Sequence, residues 1–145
     1  MLLARRYDWI EYPTEDPGDI LEWDESHAGI KVRILVNPTM AEVRQETHLY
    51  LESNGTDQDA QDAYWQYIAD RIPEWNIQAE GAKGKPVDVP PPSEDWTSLM
   101  ALPFDVAMWL RQSIHWAHRG KVLTLLQGRA STTDTTPPIA LVQAS

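Results

Sequence analysis

The chain has 145 residues, 42% of them apolar and 23% charged, with seven Trp and no Cys. That length suits one domain with one ordinary core, and the lack of cysteine excludes disulfides, thiolate zinc sites and a cysteine nucleophile. Acids outnumber Lys plus Arg by 22 to 12, a formal net charge of −10, and such a surface repels phosphate backbones and argues against a general nucleic-acid binder.

No apolar stretch approaches the ~20 residues of a membrane span. The N-terminus, Met1 to Asp8, has no apolar core of a leader and meets acids at once, so no signal peptide is expected. The expected location is the cytoplasm of a cell. Charge is uneven: residues 1–95 hold 20 acids and 8 bases, whereas residues 96–145 hold Asp105 and Asp134 against Arg111, Arg119, Lys121 and Arg129. That pattern is either a solvated surface with clustered charge or a dipolar molecule presenting an acidic face to a basic partner.

Residues 1–28 read as a flexible acidic arm containing Trp9, Tyr12, Pro13, Pro17-Gly18 and Trp23, with eight acids from Asp8 to Glu25. Two Trp in such a segment imply that part of it packs on the domain or on a partner. In Ile30 to Val36, Ile30, Val32 and Ile34 alternate with Lys31 and Arg33, the pattern of a half-buried strand. After Asn37-Pro38, Thr39 and Glu42 form a capping box. The helix it opens is expected to bury Met40, Val43, Thr47, Tyr50 and Leu51 and to stop at Asn54-Gly55.

A second helix starts near Asp57 or Asp59, with the stripe Ala60, Ala63, Tyr64, Tyr67, Ile68 and Ile72, and ends before Pro73. Residues 75–89 read as a β-hairpin: a short strand from Trp75, a turn between Gly81 and Gly84, and a return through Val87 and Val89. Pro90-Pro91-Pro92 is a stiff spacer. Ser93 is then expected to cap a short helix that turns Trp96, Leu99 and Met100 inward. Leu102-Pro103 opens the longest helix, with Pro103 near its first position and Val106, Trp109, Leu110, Ser113, Ile114 and Ala117 on one face; Gly120 ends it. Lys121 to Leu126 fits either a strand or a helical extension, and residues 128–145 read as a flexible Thr/Pro tail. The fold class is α+β: three to four helices packed on a small antiparallel sheet made of strand 30–36 and hairpin 75–89, within a domain at 29–127.

His115-x-x-His118 is the one pair with metal-ligand spacing, since i and i+3 share a helix face. Neither His27 nor His48 is placed near it, and Arg111 and Arg119 flank it, so it reads as a solvated helix end and no metal is expected. The acid pairs Glu15-Asp16, Asp24-Glu25 and Glu94-Asp95 lack the separation and contrasting environments of hydrolase carboxylates. No Gly-x-Ser-x-Gly elbow and no phosphate-binding glycine loop occurs. Asn54-Gly55-Thr56 matches a glycosylation acceptor, discounted without a secretory signal. The chain is read as a non-enzyme that uses no cofactor. Of the seven Trp, Trp65, Trp96 and Trp109 lie on or beside helical apolar faces, while Trp116 falls off the main stripe.

The run Arg71 to Ile77 with its Trp75-Asn76, then Glu80-Gly81 and Gly84-Lys85-Pro86-Val87, then Leu102-Pro103-Phe104-Asp105-Val106, resembles the small tail-assembly proteins of long-tailed bacteriophages, the tail assembly chaperones. Val32-Arg33-Ile34 and Pro38-Thr39-Met40 are similar to the strand and Thr-initiated helix that precede those motifs in the family, so the resemblance spans residues 30–119. It implies a non-enzymatic protein that binds the tape-measure protein and brings tail-tube subunits to it in the host cell, with a homo-oligomer left open. On that reading the partner contacts are Trp75, Trp116, Trp109 and Arg111, with the Trp9 to Trp23 arm as a second contact. The alternatives are a structural virion component, such as a connector or neck subunit, and an acidic mimic that inhibits a nucleic-acid-binding enzyme.

Overall fold

The computed structural model describes residues 5–13 and 24–120. Its elements are strand β1 (Tyr7–Glu11), a 3-10 turn (Glu25–His27), strand β2 (Lys31–Leu35), helices α1 (Met40–Ser53) and α2 (Gln58–Asp70), strands β3 (Glu74–Trp75), β4 (Gln78–Glu80) and β5 (Pro86–Asp88), a six-residue 3-10 helix (Trp96–Ala101) and helix α3 (Phe104–Ala117). The class is α+β, as the pattern predicts. The Thr/Pro tail and the 121–126 stretch lie outside the described residues.

Among the described residues two antiparallel sheets form, one in the order β1-β2-β3 and one pairing β4 with β5. The first differs from expectation, because part of the stretch read as an arm is its edge strand. β1 pairs along its whole length with β2, Tyr7 opposite Leu35 and Glu11 opposite Lys31. The physical reason is the same alternation seen in 30–36: Asp8, Ile10 and Tyr12 turn inward while Tyr7, Trp9 and Glu11 stay half-buried. The inward Asp8 places its carboxylate on the N–H of Trp9, 2.8 Å away. The 75–89 hairpin splits. Glu74–Trp75 joins the first sheet, setting Glu74 opposite Arg33 in a 2.9 Å ion pair, and residues 78–88 form the separate β4–β5 ribbon. Gly81 is required at the ribbon's tip, since a Cβ there would stand 2.3 Å from Val87 Cγ2. Gly29 adopts φ +94°, a conformation that turns the chain from the first 3-10 turn into β2.

α1 begins with the predicted capping box: Glu42 N–H donates to Thr39 Oγ1 and Thr39 N–H donates to Glu42 Oε1. Such a cap stabilises a helix by about 1 kcal/mol. Of the face α1 is expected to bury, Val43, Thr47 and Tyr50 are half-buried, and the two ends of the stripe turn outward. Met40 and Leu51 are 69% and 63% exposed, while Glu46 and Ser53 are buried. Glu46 turns inward, where it meets the Tyr64 hydroxyl of α2 and His115 of α3. α2 follows the prediction, capped by Asp57 and burying Tyr64, Tyr67 and Ile68.

The 96–101 segment is capped by Asp95 rather than Ser93, and its 3-10 winding turns Met100 out to 50% exposure. With three residues per turn, Trp96, Leu99 and Leu102 share the inner side and Met100 leaves it. α3 buries the predicted stripe, with Pro103 at its N-cap one residue before the helix. The core joins Ile10, Tyr12, Val32 and Ile34 of the sheet to Tyr64, Ile68 and Ile72, Leu99, and Val106, Trp109, Leu110 and Ile114. Among the described residues no helix is long and apolar enough to cross a membrane.

Candidate functional site

The residues expected to contact a partner are placed differently from one another. Trp109 is fully buried, its ring 5.2 Å from that of Tyr12 in an edge-on arrangement at 86°, so it is a core residue and not a surface contact. Trp75 and Trp116 are partly buried against the same core, and the Trp75 indole N–H donates to the Val89 carbonyl at 2.8 Å. Trp9 is half-buried on β1. Arg111 turns into an aromatic enclosure, its guanidinium 4.6 Å from the Tyr64 ring, 5.5 Å from Trp65 and 5.9 Å from Tyr50. Trp23 lies outside the described residues.

The helices converge on a buried carboxylate. Glu46 is 0% exposed. Its Oε2 accepts from the Tyr64 hydroxyl at 2.6 Å and from His115 Nδ1 at 2.8 Å, and its Oε1 lies 2.9 Å from Arg119 Nη2. The His115 ring stacks on Tyr50 at 4.1 Å. One acid of α1 thereby ties α2 to the last turns of α3. Burial pushes the Glu46 carboxyl up, but the bonds from His115 and Tyr64 and the charges of His115 and Arg119 outweigh it and hold the group below its ordinary range. The same network pushes the Tyr64 phenol upward, by burial first and then by its bond to Glu46.

His118 corrects the expectation of a solvated helix end. It is 3% exposed, with Nδ1 2.8 Å from the Ile114 carbonyl and Nε2 2.8 Å from the Tyr67 hydroxyl. Nδ1 can only donate to the Ile114 carbonyl, and the Tyr67 hydroxyl donates to the Glu42 carbonyl at 3.1 Å while its oxygen lies against Nε2. The i, i+3 spacing that resembles a metal pair sends the two rings to different partners, His115 to Glu46 and His118 to Tyr67. Among the described residues no group of three or more His, Asp and Glu side chains is arranged to hold a metal ion.

A second polar junction fastens the opposite end of α3. Asp105 accepts from the Tyr12 hydroxyl and lies 2.8 Å from His27 Nδ1, and the Asp24 N–H donates to the same phenol oxygen at 3.0 Å. Burial and the Asp105 bond push the Tyr12 phenol up to about 12, so it remains a donor at all ordinary pH. The partners of Asp105 are 93 and 78 residues away in the chain and carry no local signal.

These groups set a pH profile for stability. Burial holds His118 below its ordinary 6.5, with the Ile114 and Glu46 interactions opposing, so the folded chain prefers the neutral ring. That contribution is complete above pH 6.5 and declines as pH falls below it. Glu46 and Glu42 are held below 4.5 and Asp105 below 3.8, so their contributions are complete above those values and are lost as pH falls further. Urea midpoints measured from pH 8 to pH 3 are expected to fall in two stages, a shallow one below about 6.5 and a steeper one below about 4.5. His118→Gln is expected to remove the first stage and leave the second.

The outer surface carries a further feature that helical periodicity did not foresee. Phe104 is 74% exposed, Met40 69%, Leu51 63%, Val87 52% and Met100 50%. Phe104 begins α3 and Met100 lies four residues before it in the 3-10 helix; between them Ala101 and Pro103 are exposed and Leu102 packs on the core. A scan against protein-family models finds no match, and neither comparison with curated proteins nor comparison with solved structures finds one.

Proposed function

We propose that the chain is a non-enzymatic protein-binding assembly factor, similar in kind to the tail assembly chaperones of long-tailed phages, acting in the host cytoplasm on the tape-measure and tail-tube proteins. The observation that carries the reading is the presence of large apolar side chains on the surface of a chain with net charge −10. Exposed aromatic and methionine side chains grouped with polar neighbours are suited to protein contacts. The acidic remainder keeps a complex with an apolar client in solution. The polar junctions at Glu46 and Asp105 serve this role by fixing the helices, so the exposed groups are held on rigid elements. The order of motifs along residues 30–119 supports the phage assignment within this class.

The test is co-expression with the neighbouring virion proteins, followed by affinity capture and mass spectrometry of finished particles. Capture of the tape-measure protein together with absence from particles is the expected result. Presence in particles at fixed stoichiometry overturns it in favour of a virion component.

A further inference from the structure

Resting on that protein-binding reading, we infer that the shoulder where the 96–101 segment turns into α3 is a docking surface for a basic, apolar segment of a partner protein. Phe104 and Met100 are 74% and 50% exposed, Ala101 and Pro103 between them are exposed as well, and Leu102 anchors the turn on the core. An exposed phenylalanine on the first turn of a helix whose N-cap is a proline sits on stiff backbone, which lowers the entropy lost when a partner covers it.

The charge around the shoulder selects the partner. Residues 93–105 contain Glu94, Asp95 and Asp105 and no Lys or Arg. Asp105, next to Phe104, holds His27, and Asp24 Oδ2 lies 3.9 Å from the same His27 nitrogen, which brings a second acid to this end of α3. Glu94 and Asp95 lead into the opposite end of the segment that carries Met100. An apolar patch with this surround favours a segment whose apolar side chains alternate with Lys or Arg and disfavours an acidic one, by Coulombic steering and by the cost of like charges in contact. A second copy of this chain, with its own acid-rich shoulder, fits poorly for the same reason.

Phe104 is the one phenylalanine of the chain, so a phenylalanine-selective isotope label reports on this position alone. The probes are two amphipathic peptides of about 18 residues with one apolar pattern, Leu/Lys and Leu/Glu. The Phe104 signal of the full chain is expected to move on addition of the Leu/Lys peptide and to stay in place with Leu/Glu. The affinity for Leu/Lys is expected to weaken at least about tenfold in Phe104→Ser and to be unchanged in Ala79→Ser, which alters an exposed residue on β4. Thermal melts of both variants check that they fold.

A Phe104 signal that does not move while others do, or an equal response to both peptides, overturns the inference. So does a signal that moves with protein concentration alone, since that assigns the shoulder to a second copy. If the native client is captured equally by wild type and Phe104→Ser, the inference fails and the assembly reading stands. If no client is captured and the Leu/Lys peptide still binds at Phe104, the reading fails and the surface stands.

Discussion

Glu46→Ala is expected to lower the unfolding free energy by about 3 kcal/mol, read from the shift of a urea transition. The substitution removes the acceptor of the Tyr64 hydroxyl and of His115 and the counter-charge of Arg119 at one stroke. The lower end of the range for breaking a buried pair applies here, because the Arg119 and His115 side chains are 31% and 22% exposed and turn to water when released. Tyr64 has no such outlet and leaves a buried hydroxyl without its acceptor. Glu46→Gln, which keeps one acceptor and loses the charge, is expected to cost less. Combining Glu46→Ala with His115→Ala is expected to cost less than the two changes summed, since both remove the same bond. Additive losses would show that the carboxylate does not organise the helices.

Trp109→Ala is expected to cost about 3–5 kcal/mol, the range for truncating a large buried aromatic. Trp109 is fully buried where α3 crosses the sheet and takes the edge of Tyr12. The loss includes that ring pair as well as the cavity, so Tyr12→Phe, which keeps the ring and deletes the bond to Asp105, is a milder companion. A change of less than about 1 kcal/mol for Trp109→Ala would place this ring outside the core. It would also restore Trp109 as a candidate partner contact.

The elements most legible in the sequence were those whose stabilisation is local. The Thr39 capping box, the Asp57 cap, the α2 stripe and the α3 stripe all follow from spacing within one helix, and each is present. The misplacements share a cause, which is that the deciding partner is distant in sequence. On α1, Glu46 turns inward to Tyr64 and His115, 18 and 69 residues away. The signal available was at the end of α3, where His115 and Arg119 stand four residues apart and so share a side from which both reach one acid. Met100 was placed inward by assuming 3.6 residues per turn where the winding is 3-10. Trp109 illustrates the opposite limit: its periodicity pointed to the core, while composition alone made any tryptophan attractive as a contact. The exposed Phe104 had no sequence signature, because a lone apolar residue after a proline fits a buried and an open helix start equally well.

The placement of Asp8 bears on how the border of the first sheet would receive another strand. Among the described residues β1 is a terminal strand of its sheet, and its odd-numbered residues direct their backbone groups away from β2, toward whatever molecule approaches. At the middle of that border the Trp9 donor is already engaged by the neighbouring carboxylate, which also stations a negative charge on the inner side of the strand. An incoming strand would meet a donor that is spent and an acid it must bury, the same device by which natural sheet borders resist fibrous stacking. A carboxylate that costs the core some apolar area thus works as a guard against self-templating, a role separate from anything the folded molecule binds.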